Sequence, residues 1–392
     1  MASPPQIASS FTAEGDLAVD LRTSIRPTEA EVDLGAIVRN RARLQALVGA
    51  SEIWGVIKAD AYGHGAVPVA RALAEGGCPA LAVSLVEEGL ELRAAGIDCP
   101  IVVLGAHYGR WHLEVLDARL TPVIYDAADI DRFSAAARRR NRPADVHLKI
   151  DTGMSRLGLA PAEFPAALRR VRAAGGLRLV GLCTHFASAD LEGAWTAEAL
   201  ARFRPCVEEA NRAGGADRIV LHAANSAAAV RHPATRLDAV RPGLVLYGAT
   251  PAPTVTVAGL EPALRLTTRV MAIRTVPVGT GVSYGGQWVA ARASRIATLP
   301  IGYADGYPRH VQGAEVLLRG RRCPVVGAVC MDMLMIDVTE VEGTAVGDLV
   351  TLIGPHGDQS ISVDELARAA GTINYEILSG ISKRVPRVYK RS

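Results

Sequence analysis

Residues 53–58 read IWGVIK, a short apolar run that ends in a single lysine. Seven similar runs follow it, separated by stretches of Ala, Leu and Arg with helical periodicity. The predicted strands cover residues 53–58, 80–84, 101–104, 121–125, 146–150, 179–184, 218–221 and 240–246, and the clearest predicted helices cover 67–74, 86–95, 130–140, 161–174 and 196–213. Apolar strands that alternate with helices are typical of a parallel sheet buried on both faces. Eight such units predict an α/β fold, a (β/α)8 barrel of the TIM type.

The pattern changes after residue 261, where apolar and polar residues alternate with period two. Predicted strands follow at 264–273, 296–301, 315–318, 333–338 and 349–353, and no long helix is predicted before 363–370. The chain has 392 residues, whereas a barrel of this kind needs about 250. The sequence therefore predicts a flexible N-terminal arm at 1–25, a barrel at 26–260 and a mostly antiparallel β domain at 261–392.

Composition excludes several classes of protein. The 43 basic and 40 acidic residues give a net charge of +3, and no basic run is longer than Arg138–Arg140, so neither nucleic acid nor a membrane surface is an expected partner. No run reaches the roughly 18 apolar residues of a membrane span, and the first 25 residues lack the features of a signal peptide. The six cysteines form no CxxC pair, which fits reduced thiols in the cytoplasm.

Lys58 closes the first predicted strand, in the segment VIKADAYGHG at 56–65. Reacting groups of such barrels project from the carboxyl ends of the strands. A desolvated lysine has a lowered pKa and is suited to forming an imine with an aldehyde. The alternative is a lysine that extends to solvent at the rim. Gly63 and Gly65 favour the first interpretation because they let the backbone and Tyr62 approach a ligand closely.

Other strand ends carry further candidates. Arg156 is a fixed cation that suits a carboxylate or phenolate, although a surface ion pair would also explain it. His185 follows the sixth strand, where a hydrogen-bonded core histidine is the default. Asn225 or Ser226 caps a helix after the seventh strand, a place where phosphate also binds in barrels.

The eighth strand carries Arg241 and Gly243, and the backbone N–H of Gly243 is available to the same phosphate. A phosphate site beside a strand-end lysine indicates pyridoxal phosphate as the cofactor. The sequence contains no HxH, HExxH or Walker motif, so no metal site is predicted.

These segments together resemble the alanine racemases, pyridoxal-phosphate enzymes of the barrel class. The resemblance runs from RPT at 26–28 to TINYE at 372–376 and includes GVSYG at 281–285, IGYADGY at 301–307 and CMDM at 330–333. It implies interconversion of L-alanine and D-alanine, which supplies D-alanine for peptidoglycan. It also implies a homodimer with shared active sites.

The resemblance assigns roles to individual residues. Lys58 would carry the cofactor as an imine and serve as one proton-transfer base, and Tyr284 would be the other base, reaching the cofactor of the partner subunit. Arg241 would face the pyridine nitrogen, supported by His185. Arg156 and the backbone at Met331 would bind the substrate. The implied phosphate ligands are Tyr62, Ser226, Gly243, Leu244 and Tyr375.

Lys149 matches a lysine that is N-carboxylated in many members of the family. A carbamate there would turn the repulsion between Lys149 and Arg156 into an ion pair. The alternative is an unmodified lysine with a carboxylate nearby.

Two positions depart from the family pattern. Ala328 replaces an arginine that often precedes the CMD segment by two residues, although Arg309 and Asp190, two other charged residues at the approach to the site, are retained. This favours, as an alternative function, a broad-specificity racemase acting on serine, lysine or arginine. Glu29 replaces an aromatic residue, and no chemical role can be assigned to it.

A decarboxylase or a non-catalytic carrier of the cofactor fits less well, because Lys58 and Tyr284 together describe proton transfer on two faces.

Overall fold

A computed structural model describes residues 25–105, 107–212 and 218–392. The arm predicted at residues 1–25 lies outside this part of the chain, apart from Ile25. The first elements are strand β1 (Glu29–Asp33) and the helix Leu34–Val48, which begins where the Asp33 carboxylate accepts a hydrogen bond from the N–H of Ala36. No helix in the three described ranges is both long and apolar enough to cross a lipid bilayer.

Among the described residues, eight parallel strands close into the predicted barrel. Each strand pairs with the next along the chain, and the first pairs with the last through Ile53 and Val240. The strands are β2 (Glu52–Val56), β3 (Ala80–Val83), β4 (Ile101–Val103), β5 (Thr121–Ile124), β6 (Ala144–Lys149), β7 (Leu177–Cys183), β8 (Val220–His222) and β9 (Ala239–Val240). Every residue of β3 and β4 is buried, as expected for strands covered by helices outside and by side chains within the barrel. The predicted fold class is confirmed.

Helices surround this barrel and bury one apolar face each. In Ala127–Arg139 the buried face includes Ile130, Phe133 and Ala137, and Asp126 caps the amino end through the N–H of Ala128. The other α-helices of the barrel region are Ala66–Glu75, Val86–Ala94, His112–Asp117, Phe164–Ala173, Trp195–Arg212 and Ser226–Arg231, and short 3-10 helices occupy Pro161–Glu163 and Pro233–Thr235.

Two predicted strands are shorter in the structure, at places that matter for the site. The strand predicted at 240–246 ends at Val240 and gives way to a 3-10 helix, Leu244–Tyr247, because Pro242 lacks an N–H for a continuing ladder. The strand predicted at 53–58 ends at Val56. Lys58 instead begins the segment Lys58–Gly63, in which Ala59 to Tyr62 adopt left-handed helical angles.

The second domain is built on antiparallel pairs, as predicted. Its strands are β10 (Leu264–Arg269), β11 (Ala272–Val276), β12 (Gly281–Val282), β13 (Trp288–Val289), β14 (Ser294–Leu299), β15 (Glu315–Leu318), β16 (Arg321–Pro324), β17 (Leu334–Asp337), β18 (Leu349–His356), β19 (Gln359–Ile361) and β20 (Arg387–Lys390). The helices Val363–Ala369 and Asn374–Gly380 precede β20, and 3-10 helices lie at Tyr284–Gly286 and Tyr303–Asp305.

Strand β1 belongs to the sheet of the second domain. It pairs antiparallel with β10 and parallel with β20, in a sheet ordered β16-β15-β18-β10-β1-β20 with β19 attached to β18. The sequence predicts that residues 26–260 form the barrel domain, whereas the structure pairs β1 with strands of the second domain. Local periodicity could not show it, because the partners of β1 lie more than 200 residues along the chain. Glu29 is the first residue of β1 and is exposed.

Candidate active site

A cavity of about 280 Å³ opens at the carboxyl ends of the barrel strands. Lys58 reaches it from beyond β2, Lys149 from the end of β6 and His185 from beyond β7. Two cations, Arg156 and Arg241, also line it. The remaining lining residues are Ser84, Leu85, Leu104, Gly105, Tyr108, Val123, Leu157, Cys183 and Thr184. The barrel thus brings five of the predicted site residues, far apart in the sequence, to one pocket.

Burial lowers the pKa of the Lys58 amine, and the nearby positive charge of Arg156 lowers it further, whereas the Glu88 carboxylate raises it. A lysine that extends freely into solvent would not be desolvated in this way. The environment therefore favours an amine with a larger neutral fraction at physiological pH, the form that attacks a carbonyl.

Lys149 is buried, with 8% of its surface exposed. Burial lowers the pKa of its amine, and the positive charges of Arg241 and Arg156 act in the same direction. Arg156, in the loop after β6, is itself exposed. The cavity therefore concentrates positive charge, which suits an anionic occupant.

Arg241 is buried and held from several sides. Its Nη2 donates to the carbonyl oxygens of Thr184 at 2.8 Å and Ala223 at 3.1 Å, and lies 3.4 Å from Nδ1 of His185. Its Nη1 donates to Nδ1 of His222 at 2.7 Å. Burial and the charge of Arg241 hold the pKa of His185 well below its usual range, so this ring is neutral.

His222 continues this network into the barrel. Because Nδ1 of His222 accepts from Arg241, its Nε2 carries the proton of the neutral ring. That Nε2 donates to Nδ1 of His147 at 2.9 Å. Burial, followed by the charge of Arg241, lowers the pKa values of both histidines. His222, itself oriented by His147, therefore offers a neutral acceptor to one edge of the guanidinium.

A second set of polar groups converges beside Arg241 in the chain. The N–H of Gly243 donates to Oγ of Ser226 at 3.0 Å. A methyl group at Gly243 would lie 2.2 Å from the Tyr62 hydroxyl oxygen, so only glycine allows this approach. The ring of Tyr62 lies 6.1 Å from that of Tyr375, centroid to centroid. Burial raises the pKa of Tyr375 to about 12, so its hydroxyl stays protonated and can donate a hydrogen bond.

Asn225 and Leu244 are neighbours in sequence of Ser226 and Gly243. The Asn225 side chain accepts a hydrogen bond from the N–H of Ala228 at 3.0 Å and so caps the helix Ser226–Arg231. Leu244 is fully buried and opens the 3-10 helix Leu244–Tyr247. Any ligand contact of Leu244 would therefore be made by its backbone.

Tyr284 and Met331 are placed differently from all of these residues. Their exposed fractions are 75% and 53%, and neither lines the cavity at the barrel mouth. The loop of Tyr284 is joined to the segment before Met331, because Ser283 Oγ donates to the carbonyl oxygen of Ala328 at 2.7 Å. The carbonyl oxygen of Met331 accepts a hydrogen bond from the N–H of Ala304 at 3.0 Å. The chain by itself leaves this part of the predicted site open to solvent.

Sequence reasoning missed three residues that contribute to the site. His222 supports Arg241, Tyr108 lines the cavity, and Glu88 accepts a hydrogen bond from the N–H of Ala59, next to Lys58. His222 stands three residues before Asn225, and its place at the end of β8 was the available signal. Glu88 and Tyr108 carry no comparable local signal.

Comparisons with known proteins identify the family. The model described as "Alanine racemase, N-terminal domain" matches residues 32–251, and that described as "Alanine racemase, C-terminal domain" matches residues 263–389. The chain belongs to the alanine racemase family. It is accordingly an amino-acid racemase, an isomerase, and the resemblance found in the sequence is confirmed.

Individual relatives match over nearly their whole lengths. Alanine racemase of Halothermothrix orenii is 43% identical over 93% of this chain and 97% of the relative. That of Sorangium cellulosum is 44% identical over 93% of this chain and 100% of the relative. Among solved structures, alanine racemase from D-cycloserine-producing Streptomyces lavendulae has 37% identity and a TM-score of 0.90, covering 94% of this chain and 98% of that one. The biosynthetic alanine racemase of Pseudomonas aeruginosa has 39% identity and a TM-score of 0.85, covering 94% and 100%.

Proposed function

We propose that the protein interconverts L-alanine and D-alanine with pyridoxal phosphate bound at the mouth of the barrel. The observation that carries the proposal is the desolvated amine of Lys58 in a cation-lined cavity at the strand ends. The relatives of known structure and sequence described above are alanine racemases, which supports alanine as the substrate. Made in the cytoplasm, D-alanine would supply peptidoglycan.

The residues present fit this cofactor. Lys58 would supply the amine for its aldehyde, and Arg241, oriented by His222 and His185, would face the ring nitrogen. The phosphate would be held by the hydroxyl groups of Ser226, Tyr62 and Tyr375 and by the backbone at Gly243 and Leu244, with Asn225 shaping the turn. The bound cofactor supplies a conjugated ring that withdraws electrons from the α-carbon of the substrate.

The chain's own groups would then move the α-proton. Lys58, whose pKa is lowered, takes or returns a proton on one face of the substrate. Inversion needs a second acid–base group on the opposite face, and we assign this role to the hydroxyl of Tyr284. Because Tyr284 is exposed and lies outside the cavity of its own chain, it would serve the site of the partner in a homodimer. Arg156 and the backbone at Met331 would hold the substrate.

We also assign an N-carboxylated side chain to Lys149. The neutral amine is the form that attacks carbon dioxide, losing a proton as the N–C bond forms, and burial enlarges the neutral fraction. The resulting anion would lie among the cations of the cavity and offset their repulsion. ¹³C NMR of the protein in ¹³C-bicarbonate should show a bound carbamate signal that Lys149→Arg removes. Identical spectra for the unsubstituted protein and Lys149→Arg would show that Lys149 is not carboxylated.

Borohydride reduction followed by peptide mapping tests the assignment of the cofactor. The sequence contains four lysines, Lys58, Lys149, Lys383 and Lys390, so a reduced adduct can be located without ambiguity. We expect the label on Lys58 alone, together with racemisation of alanine by the same preparation. A preparation that racemises alanine but carries no label on Lys58 would refute the scheme.

A broad-specificity racemase acting on serine, lysine or arginine is the second candidate. Ala328 favours it, because a methyl group stands where the resemblance to the family implies an arginine. The carbonyl oxygen of Ala328 accepts a hydrogen bond from Ser283, the residue before Tyr284. Turnover of alanine, serine and lysine at matched concentrations separates the two functions. Comparable values of kcat/KM for the three substrates would establish the broader activity.

A further inference from the structure

We propose that Glu88 is a positioning residue for the site, holding the left-handed turn that carries Lys58 and Tyr62. This inference rests on the proposed function, since it concerns how Lys58 and Tyr62 are presented to the cofactor. The two residues lie at opposite ends of the same short segment, Lys58–Gly63. Any displacement of that segment would therefore move both the Lys58 amine and the Tyr62 hydroxyl, the proposed hydrogen-bond donor to the phosphate.

The turn adopts a conformation that its own residues disfavour. Ala59, Asp60, Ala61 and Tyr62 have φ values of +51°, +53°, +53° and +55°. Non-glycine residues visit this region singly, because their Cβ atoms crowd the following carbonyl oxygen. Four in succession persist only where the surrounding structure imposes them.

Glu88 supplies a tertiary contact at the end of the turn next to Lys58. One carboxylate oxygen, Oε1, accepts from the N–H of Ala59 at 2.6 Å. The other, Oε2, accepts from the N–H groups of Ser84 at 2.8 Å and Leu85 at 2.9 Å. The carboxylate thus ties the turn after β2 to the loop after β3, and Ser84 and Leu85 line the cavity themselves.

Helix capping alone does not explain this arrangement. Glu88 is the third residue of the helix Val86–Ala94, and its bond to the N–H of Leu85 is the ordinary reach of a capping side chain. The bond to Ala59, 29 residues away, contributes nothing to the helix. The neighbouring Glu87, also in the first turn, is exposed and no hydrogen bond of its side chain is found among the described residues.

The far end of the turn is held independently. Asp60 accepts from the N–H of Ala66 at 2.6 Å, and Arg387 donates from Nε to the carbonyl oxygen of Gly63 at 3.0 Å. These contacts explain why the segment would remain folded without Glu88. Removing the carboxylate should therefore loosen the Lys58 end in particular.

The charge of Glu88 acts on Lys58 as well. Among the groups near the amine, Glu88 is the one that raises its pKa, against burial and Arg156. The other titratable or charged groups around the cavity are Tyr108, Lys149, Cys183, His185 and Arg241. Neutralising Glu88 should therefore lower the pKa of Lys58 as well as release Ala59.

Glu88→Gln tests the proposal, with Glu87→Gln as the matched control. The amide keeps one acceptor but turns an N–H group toward a backbone donor, so we expect pyridoxal phosphate to bind the apoprotein about tenfold more weakly or worse. The acidic limb of the pH profile of kcat should move to lower pH, which a loss of helix capping alone would not cause. The thermal midpoint should fall by only about 2–4 °C. Glu88→Ala should weaken cofactor binding further.

The proposal is overturned if Glu88→Gln matches Glu87→Gln in cofactor affinity and in the pH profile of kcat. A fall in thermal midpoint with both of these unchanged would also overturn it, leaving Glu88 as a helix cap. Failure of the proposed function would be seen separately, in the unsubstituted protein, as absence of the reduced adduct on Lys58.

Discussion

The mouth of the barrel and the loop that carries Tyr284 present their polar groups in opposite ways. Arg241 is 5% exposed and held by four hydrogen-bond acceptors, whereas Tyr284 is 75% exposed. A buried side chain is oriented by its own chain, while an exposed one is oriented by whatever covers it. The difference fits the proposal that one chain holds the cofactor and that its Tyr284 serves the site of another chain.

The largest effect should come from the barrel side, at Lys58. Lys58→Ala removes the proposed attachment point of the cofactor and one of the two proposed bases, so we expect alanine racemisation to fall by at least about 10⁴-fold. Lys383→Ala, at an exposed lysine of the second domain, should leave the rate unchanged. An initial rate of D-alanine formation by Lys58→Ala above about 1% of the native rate would contradict the role assigned to Lys58.

Tyr284→Phe should give the next largest loss, about 10²- to 10⁴-fold in kcat/KM. Because Lys58 still works on its own face, exchange of the α-hydrogen with D₂O should persist, with retention, for one enantiomer of alanine. NMR of the recovered substrate measures this exchange. Loss of exchange in both enantiomers would argue against separate bases on the two faces.

Mixing the Lys58→Ala and Tyr284→Phe proteins sharpens the comparison between the two regions. If Tyr284 serves the partner, half of the randomly mixed dimers are hybrids with one intact site of two, giving about a quarter of native activity. Mixing Lys58→Ala with a Lys58→Ala, Tyr284→Phe double variant should restore nothing. No recovery after verified subunit exchange would place Tyr284 in the site of its own chain.

Arg241→Glu should change the reaction more than it changes cofactor binding. A guanidinium cannot accept a proton, whereas a carboxyl group can exchange one with the ring nitrogen. We expect pyridoxal phosphate to bind within about tenfold of native affinity, while the share of turnovers lost to transamination, followed as pyridoxamine phosphate, rises. An unchanged ratio of racemisation to transamination would refute this role for Arg241.

The buried histidines of the barrel region predict acid sensitivity. Burial lowers the pKa values of His64 and His107 to about 4 and that of His147 to about 3, below the value near 6.5 of an unfolded chain. Below pH 6.5 the unfolded state then binds more protons than the folded state. The contribution of these histidines to stability is therefore fully present above pH 6.5 and is lost as the pH falls toward 4. Each histidine contributes up to about 1.4 kcal/mol per pH unit to the free energy of unfolding.

Urea unfolding of the apoprotein between pH 7 and pH 4.5 checks this dependence. His147→Gln should make the slope shallower, and the exposed His310 offers the matched control His310→Gln, which should not. Identical slopes for the two variants would show that His147 is not a source of the acid sensitivity.

The smallest effect should arise in the second domain at Ala328, which is half-buried. Ala328→Arg introduces a cation at this position, and its charge should disfavour lysine relative to alanine by less than about tenfold. The ratio of kcat/KM for the two substrates measures this. Ala345→Arg, at an exposed position of the second domain, should leave the ratio unchanged. An equal shift there would make the effect one of overall charge.

Much of the fold and the site was predictable from local patterns. The eight barrel strands were recognisable because both faces of each are buried, which leaves apolar runs in the sequence. Lys58, Arg156, His185 and Arg241 were recognisable because parallel strands bring their carboxyl ends to one rim. Strand β1 was not, since its partners β10 and β20 are distant in the chain and strand pairing leaves no periodic trace.

The sequence by itself determined the two-part architecture, the family and the identity of the groups that converge on the cavity. Tertiary structure decided how those groups are held: the chain of hydrogen bonds from Arg241 through His222 to His147, the left-handed turn after Lys58 and its contact with Glu88. It also decided that Tyr284 stands exposed. The physical reason is that periodicity reports which face of an element is buried, whereas a hydrogen bond between distant residues depends on where the folded chain places both partners.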